Sequence, residues 1–190
     1  MSSSDKVTAL NLPMVSPLPI DTQKYFDVCQ EKLGLIPNVL KAFAFDINKL
    51  NSFIGMYNEL MLSDSGLSKL DREMIAVTVS SINRCFYCLA AHGAAIRQIS
   101  GDPKLGEMIA MNYKVAPLTK KQRAMLDFVE KITLKSADIQ ESDRQLLRDN
   151  AFSDRDIWDI ANVAAFFNMT NRLSSAVDMK PNDAYHGQYR

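Results

Sequence analysis

From about residue 21 onward, apolar residues recur at intervals of three and four, and no stretch alternates long enough to suggest a strand. The pattern predicts a helix from Asp21 or Thr22, either of which can cap it, through Lys32, with Gly34 as its stop. Pro37 opens a short helix carrying Val39, Leu40, Phe43 and Ala44. Leu50, Phe53, Ile54, Tyr57, Leu60 and Met61 then share one face of a helix over 47–62, which Gly66 breaks. Ser68 and Asp71 form a capping-box pattern for a helix reaching Ser80 or Ile82. Ser81 or Asn83 can cap the next helix, about 84–100, which Gly101-Asp102-Pro103 ends. The patterns Thr119-x-x-Gln122, Ser142-x-x-Gln145 and Ser153-x-x-Asp156 open helices over about 120–135, 142–149 and 154–177. The last carries Ile157, Trp158, Ile160, Ala161, Ala164, Ala165 and Phe167, and is expected to be buried on several sides, in the core or at a subunit contact. The fold class expected is all-α.

Before this helical region, Pro13, Pro17 and Pro19 mark residues 1–20 as an extended arm. Residues 21–180 form one helical domain, with a hairpin over 68–100, and Pro181 leaves a mobile tail at 181–190. A chain of 190 residues can bury a sizeable core. Lysine plus arginine equals aspartate plus glutamate at 22 each, which gives no electrostatic reason to expect nucleic acid or an anionic membrane as partner. No apolar run approaches a membrane span, and Met1 to Asp5 have neither the basic nor the apolar part of a signal peptide. Three cysteines without secretory context point to a cytoplasmic chain whose cysteine pair is catalytic or metal-binding.

The chemistry concentrates in Cys85-Phe86-Tyr87-Cys88-Leu89-Ala90-Ala91-His92. Spacings of three and four put Cys85, Cys88 and His92 on one helical face. If the helix begins near Arg84, first-turn N–H groups and the helix dipole favour a thiolate at Cys85, whereas His92 can take the proton of Cys88. Each sulfur thus has a physical case as nucleophile. Zinc is the competing use of the same side chains, with Glu73 or water as fourth ligand.

In one unbroken helix Glu73 would lie ~18 Å from Cys85, too far to act. A reversal near 81–83 changes this. Glu73 would then sit ~13 Å back from the bend and His92 ~10 Å back along the returning helix, at nearly the same level. A carboxylate there can orient the imidazole and raise its basicity.

Glu73 with Cys85-x-x-Cys88-x-x-x-His92 resembles the signature of the alkyl hydroperoxidase D-like proteins of the carboxymuconolactone decarboxylase superfamily. Leu35-Ile36-Pro37-Asn38, Leu70-Asp71-Arg72-Glu73-Met74-Ile75 and Phe166-Phe167-Asn168-x-x-Asn171-Arg172-Leu173 are similar to the peroxidase-related branch, over most of residues 35–173. The resemblance implies an all-helical bundle with its active site at a helix N-terminus within a hairpin, and a homo-oligomer (dimer, trimer or hexamer). It implies a thiol-dependent hydroperoxide reductase or disulfide oxidoreductase that needs no cofactor and is regenerated by a dithiol protein or small thiol. Cys88 attacks the peroxide, Cys85 resolves the sulfenic acid to a disulfide, and Glu73 and His92 form the proton relay. Where the best-known members carry a second histidine, this chain has Tyr87, a poor base near neutral pH and a candidate substrate-pocket residue.

A lactone decarboxylase would keep the fold but has no use for a dithiol. A redox-sensing oligomer would form the disulfide without turnover. Cys29 reads as a buried residue of an amphipathic helix, His186 as a surface residue with no partner, and the ten methionines as adaptable packing.

Overall fold

A computed structural model describes residues 6–190, and Met1 to Asp5 lie outside the described residues. Ten α-helices follow one another, and no strand occurs among the described residues. They are α1 (Ile20–Leu33), α2 (Asn38–Phe43), α3 (Ile47–Met61), α4 (Lys69–Ile82), α5 (Phe86–Ser100), α6 (Pro103–Asn112), α7 (Lys120–Lys135), α8 (Glu141–Asp149), α9 (Asp154–Ala176) and α10 (Ala184–Gly187). Helix α4 is the axis of the bundle. Every residue from Arg72 to Ser80 is buried, because α5, α6, α7 and α9 pack around it. Met74, Ile75, Val77 and Val79 meet Ile96, Ile109, Met125, Leu126, Val129, Ile160, Val163, Phe166 and Phe167 in the main core. A smaller cluster of Phe26, Cys29, Leu40, Ala44 and Leu50 joins α1, α2 and α3.

Boundaries follow local chemistry, with four departures from the sequence pattern. Helix α1 starts at Ile20 with Pro19 as its N-cap, one or two residues before the expected Asp21 or Thr22, because proline's fixed φ already suits the entry to a helix. The capping box of α8 uses Gln140 and Asp143 rather than Ser142 and Gln145. Asp102 and Pro103 do more than end α5: Asp102 caps α6, with Pro103 at its first position, so a stop signal is also a start. Trp158 and Met169 on α9 are exposed, on the face opposite its buried apolar set. The boxes of α4, α7 and α9 form as the sequence predicts. Gly101 ends α5 at φ 66°, in the left-handed region glycine occupies readily. At Gly106 a Cβ would come within 3.1 Å of the Gly93 carbonyl oxygen, so only glycine lets α6 lie this close to α5.

The C-terminal tail is docked, contrary to the expected mobility. Arg97, itself buried, donates from Nε to the Gln188 carbonyl at 3.0 Å and from Nη2 to the Tyr185 carbonyl at 2.7 Å. Asn182 donates to the Ile36 carbonyl and accepts from the Asn38 backbone N–H. Arg190 pairs with Glu107. His186 does have a partner, the ring of Phe86, at 5.6 Å between centroids. The arm is tied to the same region, since the Lys180 N–H donates to the Val7 carbonyl and the Ala9 N–H to the Val177 carbonyl.

Candidate active site

The site is built where α4 turns back into α5. The Cys85 N–H donates to the Ser80 carbonyl at 2.9 Å and the Arg84 N–H to the Ser81 carbonyl at 3.1 Å, while Arg84 takes φ 54°. This is a Schellman closure with arginine in the left-handed position, where a β-carbon costs roughly 1–2 kcal/mol. It makes Cys85, rather than the expected Ser81 or Asn83, the N-cap of α5, which starts at Phe86 and not near Arg84, because Asn83 is taken up as the C-cap of α4. No side-chain capping bond is made there. A second closure of the same kind ends α9: Asp178 takes φ 49°, and the Met179 N–H donates to the Ser174 carbonyl at 2.9 Å. It delivers Met179 onto the cysteine pair, which also packs against Tyr87, Val39, Ala42, Ala91 and Val177.

The reversal brings Glu73 and His92 together, with Oε2 2.7 Å from Nδ1. Their side chains are only 10% and 12% exposed, so water screens the contact weakly. An ionised carboxylate only accepts, which puts the ring proton on Nδ1 and leaves Nε2 as the basic nitrogen. The edge of Phe167 against the ring, 4.6 Å between centroids, fixes its plane.

Both thiols are free and buried. The facing Cys88 thiol holds the Cys85 pKa down to about 6, helped by the Cys88 backbone N–H and by His92 when it is protonated, against the opposing effect of burial. Cys88 is displaced strongly the other way, first by its contact with Cys85 and then by burial. The two share one proton. Charge on the pair favours Cys85, while the Asn171 side chain favours it on Cys88 and Ser174 on either sulfur.

Tyr87 points into the protein, where its hydroxyl accepts the Val39 N–H at 3.0 Å, and burial raises its pKa well above the usual phenol value. It fastens α5 to the first turn of α2. Cys29 lies in the separate cluster of α1 to α3, its pKa raised by burial. Among the described residues no three His, Cys, Asp or Glu side chains are grouped to hold a metal ion. Asn171, Ser174, Ser80 and Met179 were not singled out by the sequence pattern. The available signal was two polar residues, Asn171 and Ser174, that continue the 3–4 register of Ile160, Ala164 and Phe167.

The carboxymuconolactone decarboxylase family profile matches residues 50–111, which contain α4, the turn and α5. Among solved structures, an uncharacterized peroxidase-related protein from Silicibacter sp. TM1040 is 66% identical over 100% of both chains, with a TM-score of 0.96. An alkylhydroperoxidase AhpD core protein from Ralstonia eutropha JMP134, also described as peroxidase-related, is 37% identical over 97% of each chain, with a TM-score of 0.93. The debrominase Bmp8, solved with 2,3,4-tribromopyrrole, shares the fold at 18% identity and a TM-score of 0.77, over 95% of this chain and 94% of that one. No curated protein matches significantly. The chain shares the all-helical fold of these proteins. It belongs to the carboxymuconolactone decarboxylase family, in its alkylhydroperoxidase D-like branch.

Proposed function

We propose that the chain is a dithiol hydroperoxide reductase in which Cys88 attacks and Cys85 resolves. The observation that supports dithiol chemistry is the arrangement of two facing thiols of opposed acidity beside a histidine oriented by Glu73 at 2.7 Å, and the assignment of attack to Cys88 follows the family resemblance. The pair enters the reaction with one proton. Its transfer from Cys88 to the Cys85 thiolate arms the attacking sulfur and leaves Cys85 as a thiol. The Cys88 thiolate takes the terminal hydroxyl oxygen of ROOH, giving Cys88–SOH and RO⁻, which takes up a proton from solvent and leaves as ROH. His92 then takes the Cys85 proton as that sulfur attacks Cys88. The disulfide forms and hydroxide leaves as water with the proton that His92 returns. A dithiol donor restores the pair by exchange. Decarboxylation, for which the family is named, would leave the facing thiols without a role.

Turnover of a hydroperoxide panel with a dithiol donor should vanish in Cys88→Ser. Cys85→Ser should stop after one turnover with a dimedone-reactive sulfenic acid on Cys88. Label on Cys85 in the Cys88→Ser chain would reverse the two roles, and absence of turnover in the unaltered protein would end the reductase reading. Thiolate absorbance should titrate near pH 6 and move up in Cys88→Ser, which removes the largest cause of the Cys85 shift. Because the folded pKa lies below the ordinary thiol value of 9.0, this ionisation stabilises the fold above that value. The stabilisation is lost as pH falls through about 6.

A further inference from the structure

Asn171 is completely buried, and its amide orientation is forced from both ends of a polar chain linking α4, the turn and α9. At one end Ser80 Oγ donates to the Ala76 carbonyl at 2.6 Å, so that hydroxyl has only acceptor capacity left. Asn171 Nδ2, 3.0 Å away, is the donor to it. At the other end Asn168 Nδ2 donates to the Ala164 carbonyl at 3.0 Å, which turns Asn168 Oδ1 towards the turn. That oxygen accepts from Asn83 Nδ2 at 3.0 Å, and the same Asn83 nitrogen donates to Asn171 Oδ1 at 3.1 Å. Two backbone carbonyls, which can only accept, therefore fix every amide between them. Asn171 presents its oxygen to Asn83 and one N–H to Ser80.

Its second N–H remains, on a side chain held at the cysteine turn, since the Ser80 to which it donates also receives the Cys85 N–H on its carbonyl at 2.9 Å, and its effect on Cys88 is to lower that thiol's pKa. Ser174, one turn further along α9 and also buried, lies against both sulfurs while its hydroxyl donates to Met179 Sδ at 3.8 Å. A buried amide N–H held by two hydrogen bonds needs no reorganisation when charge arrives beside it, and a donor to an ionised group is worth roughly twice a neutral one.

We propose that Asn171 is a catalytic hydrogen-bond donor, whose free N–H bonds the Cys88 sulfur when the charge passes to it from Cys85 and holds it there through attack on the peroxide. This rests on the reductase reading for the attack, but not for the thiolate. The Asn168-x-x-Asn171 pair of α9 then divides its work: Asn168 and Asn83 set the polarity, and Asn171 delivers the donor.

The test isolates Cys88 in the Cys85→Ser chain and follows its alkylation by iodoacetamide against pH. Adding Asn171→Ala should move the midpoint up, with Cys88 labelled about tenfold more slowly at neutral pH. In the otherwise unaltered protein, Asn171→Ala should lower peroxide kcat/KM by a similar factor. Asn168→Ala cuts the same polar chain without facing the sulfur and should leave the midpoint near its starting value. Equal shifts in the two variants would show that the amide is merely structural and overturn the proposal, as would an unmoved midpoint in Asn171→Ala. If Asn171→Ala does not fold, Asn171→Ser, which keeps a shorter donor, carries the same comparison. A midpoint shift without peroxide turnover in the unaltered protein would retire the reductase but keep the donor. Turnover without the shift would do the reverse.

Discussion

The hairpin of α4 and α5 and the face supplied by α9 with the C-terminal tail enclose the same two sulfurs, but they are built by different means. The hairpin joins residues 19 apart through a single hydrogen bond, from His92 to Glu73, and a turn that short-range hydrogen bonds close. The α9 face reaches across 91 residues to bond Ser80, and the tail is held by a buried arginine that donates to carbonyls 88 and 91 residues away. The first region brings the base to the thiols. The second supplies donors and cover. Proton handling here is a local property of the chain, and the surroundings that tune it are a tertiary one.

The sharpest way to break the first region is Glu73→Gln, which keeps the shape and removes the charge that orients His92. Peroxide turnover should fall by about 10²–10⁴, the range of a general acid–base contribution, while the helical circular dichroism stays unchanged. A smaller loss would place the proton acceptor elsewhere. The second region is broken by Arg97→Met, which removes two charge-assisted bonds, each worth about 1.5–3 kcal/mol. Hydrogen exchange should quicken at the amides of α10 and leave those of α4 and α5 protected. Uniform loss of protection would mean that the tail is integral to the bundle. The gentlest test, Arg84→Gly, relieves the left-handed turn. A gain of about 0.5–1 kcal/mol is expected once glycine's greater unfolded-state entropy is subtracted. A loss would show that the Arg84 side chain contributes more than its backbone strain costs.

The same contrast explains what could be read from the sequence. Glu73 facing His92 followed from helix rise alone, once a reversal was assumed near residues 81–83. The reversal itself was only weakly marked, because arginine stands where a Schellman closure normally shows glycine, and Asp178 hides the end of α9 in the same way. Helix α6 was missed because Asp102-Pro103 serves as stop and start at once. The tail carries no apolar periodicity, and the bonds it makes to Arg97 run through its own carbonyls, which no side-chain pattern marks. Asn171 was visible as part of a resembling motif, but its use depends on which way a buried amide points, and no spacing rule contains that. Tyr87 raised a question of chemistry in the sequence, and in the fold it serves as an anchor for α2.

The difference in span between the two contacts also orders them in time. Closing a 91-residue loop costs about 1.4 kcal/mol more chain entropy than closing a 19-residue one, and the hairpin is synthesised well before α9. A growing chain therefore holds Cys85, Cys88, Glu73 and His92 together before Asn171, Ser174 and Met179 exist to meet them. During that interval the dithiol has Val39, Ala42, Tyr87 and Ala91 about it but lacks Asn171, Ser174 and Met179, and it is more open to oxidants and to foreign thiols than in the finished fold. The fully buried site is thus preceded by a partly covered one, and the step that seals it is the docking of α9 and the turn that follows it.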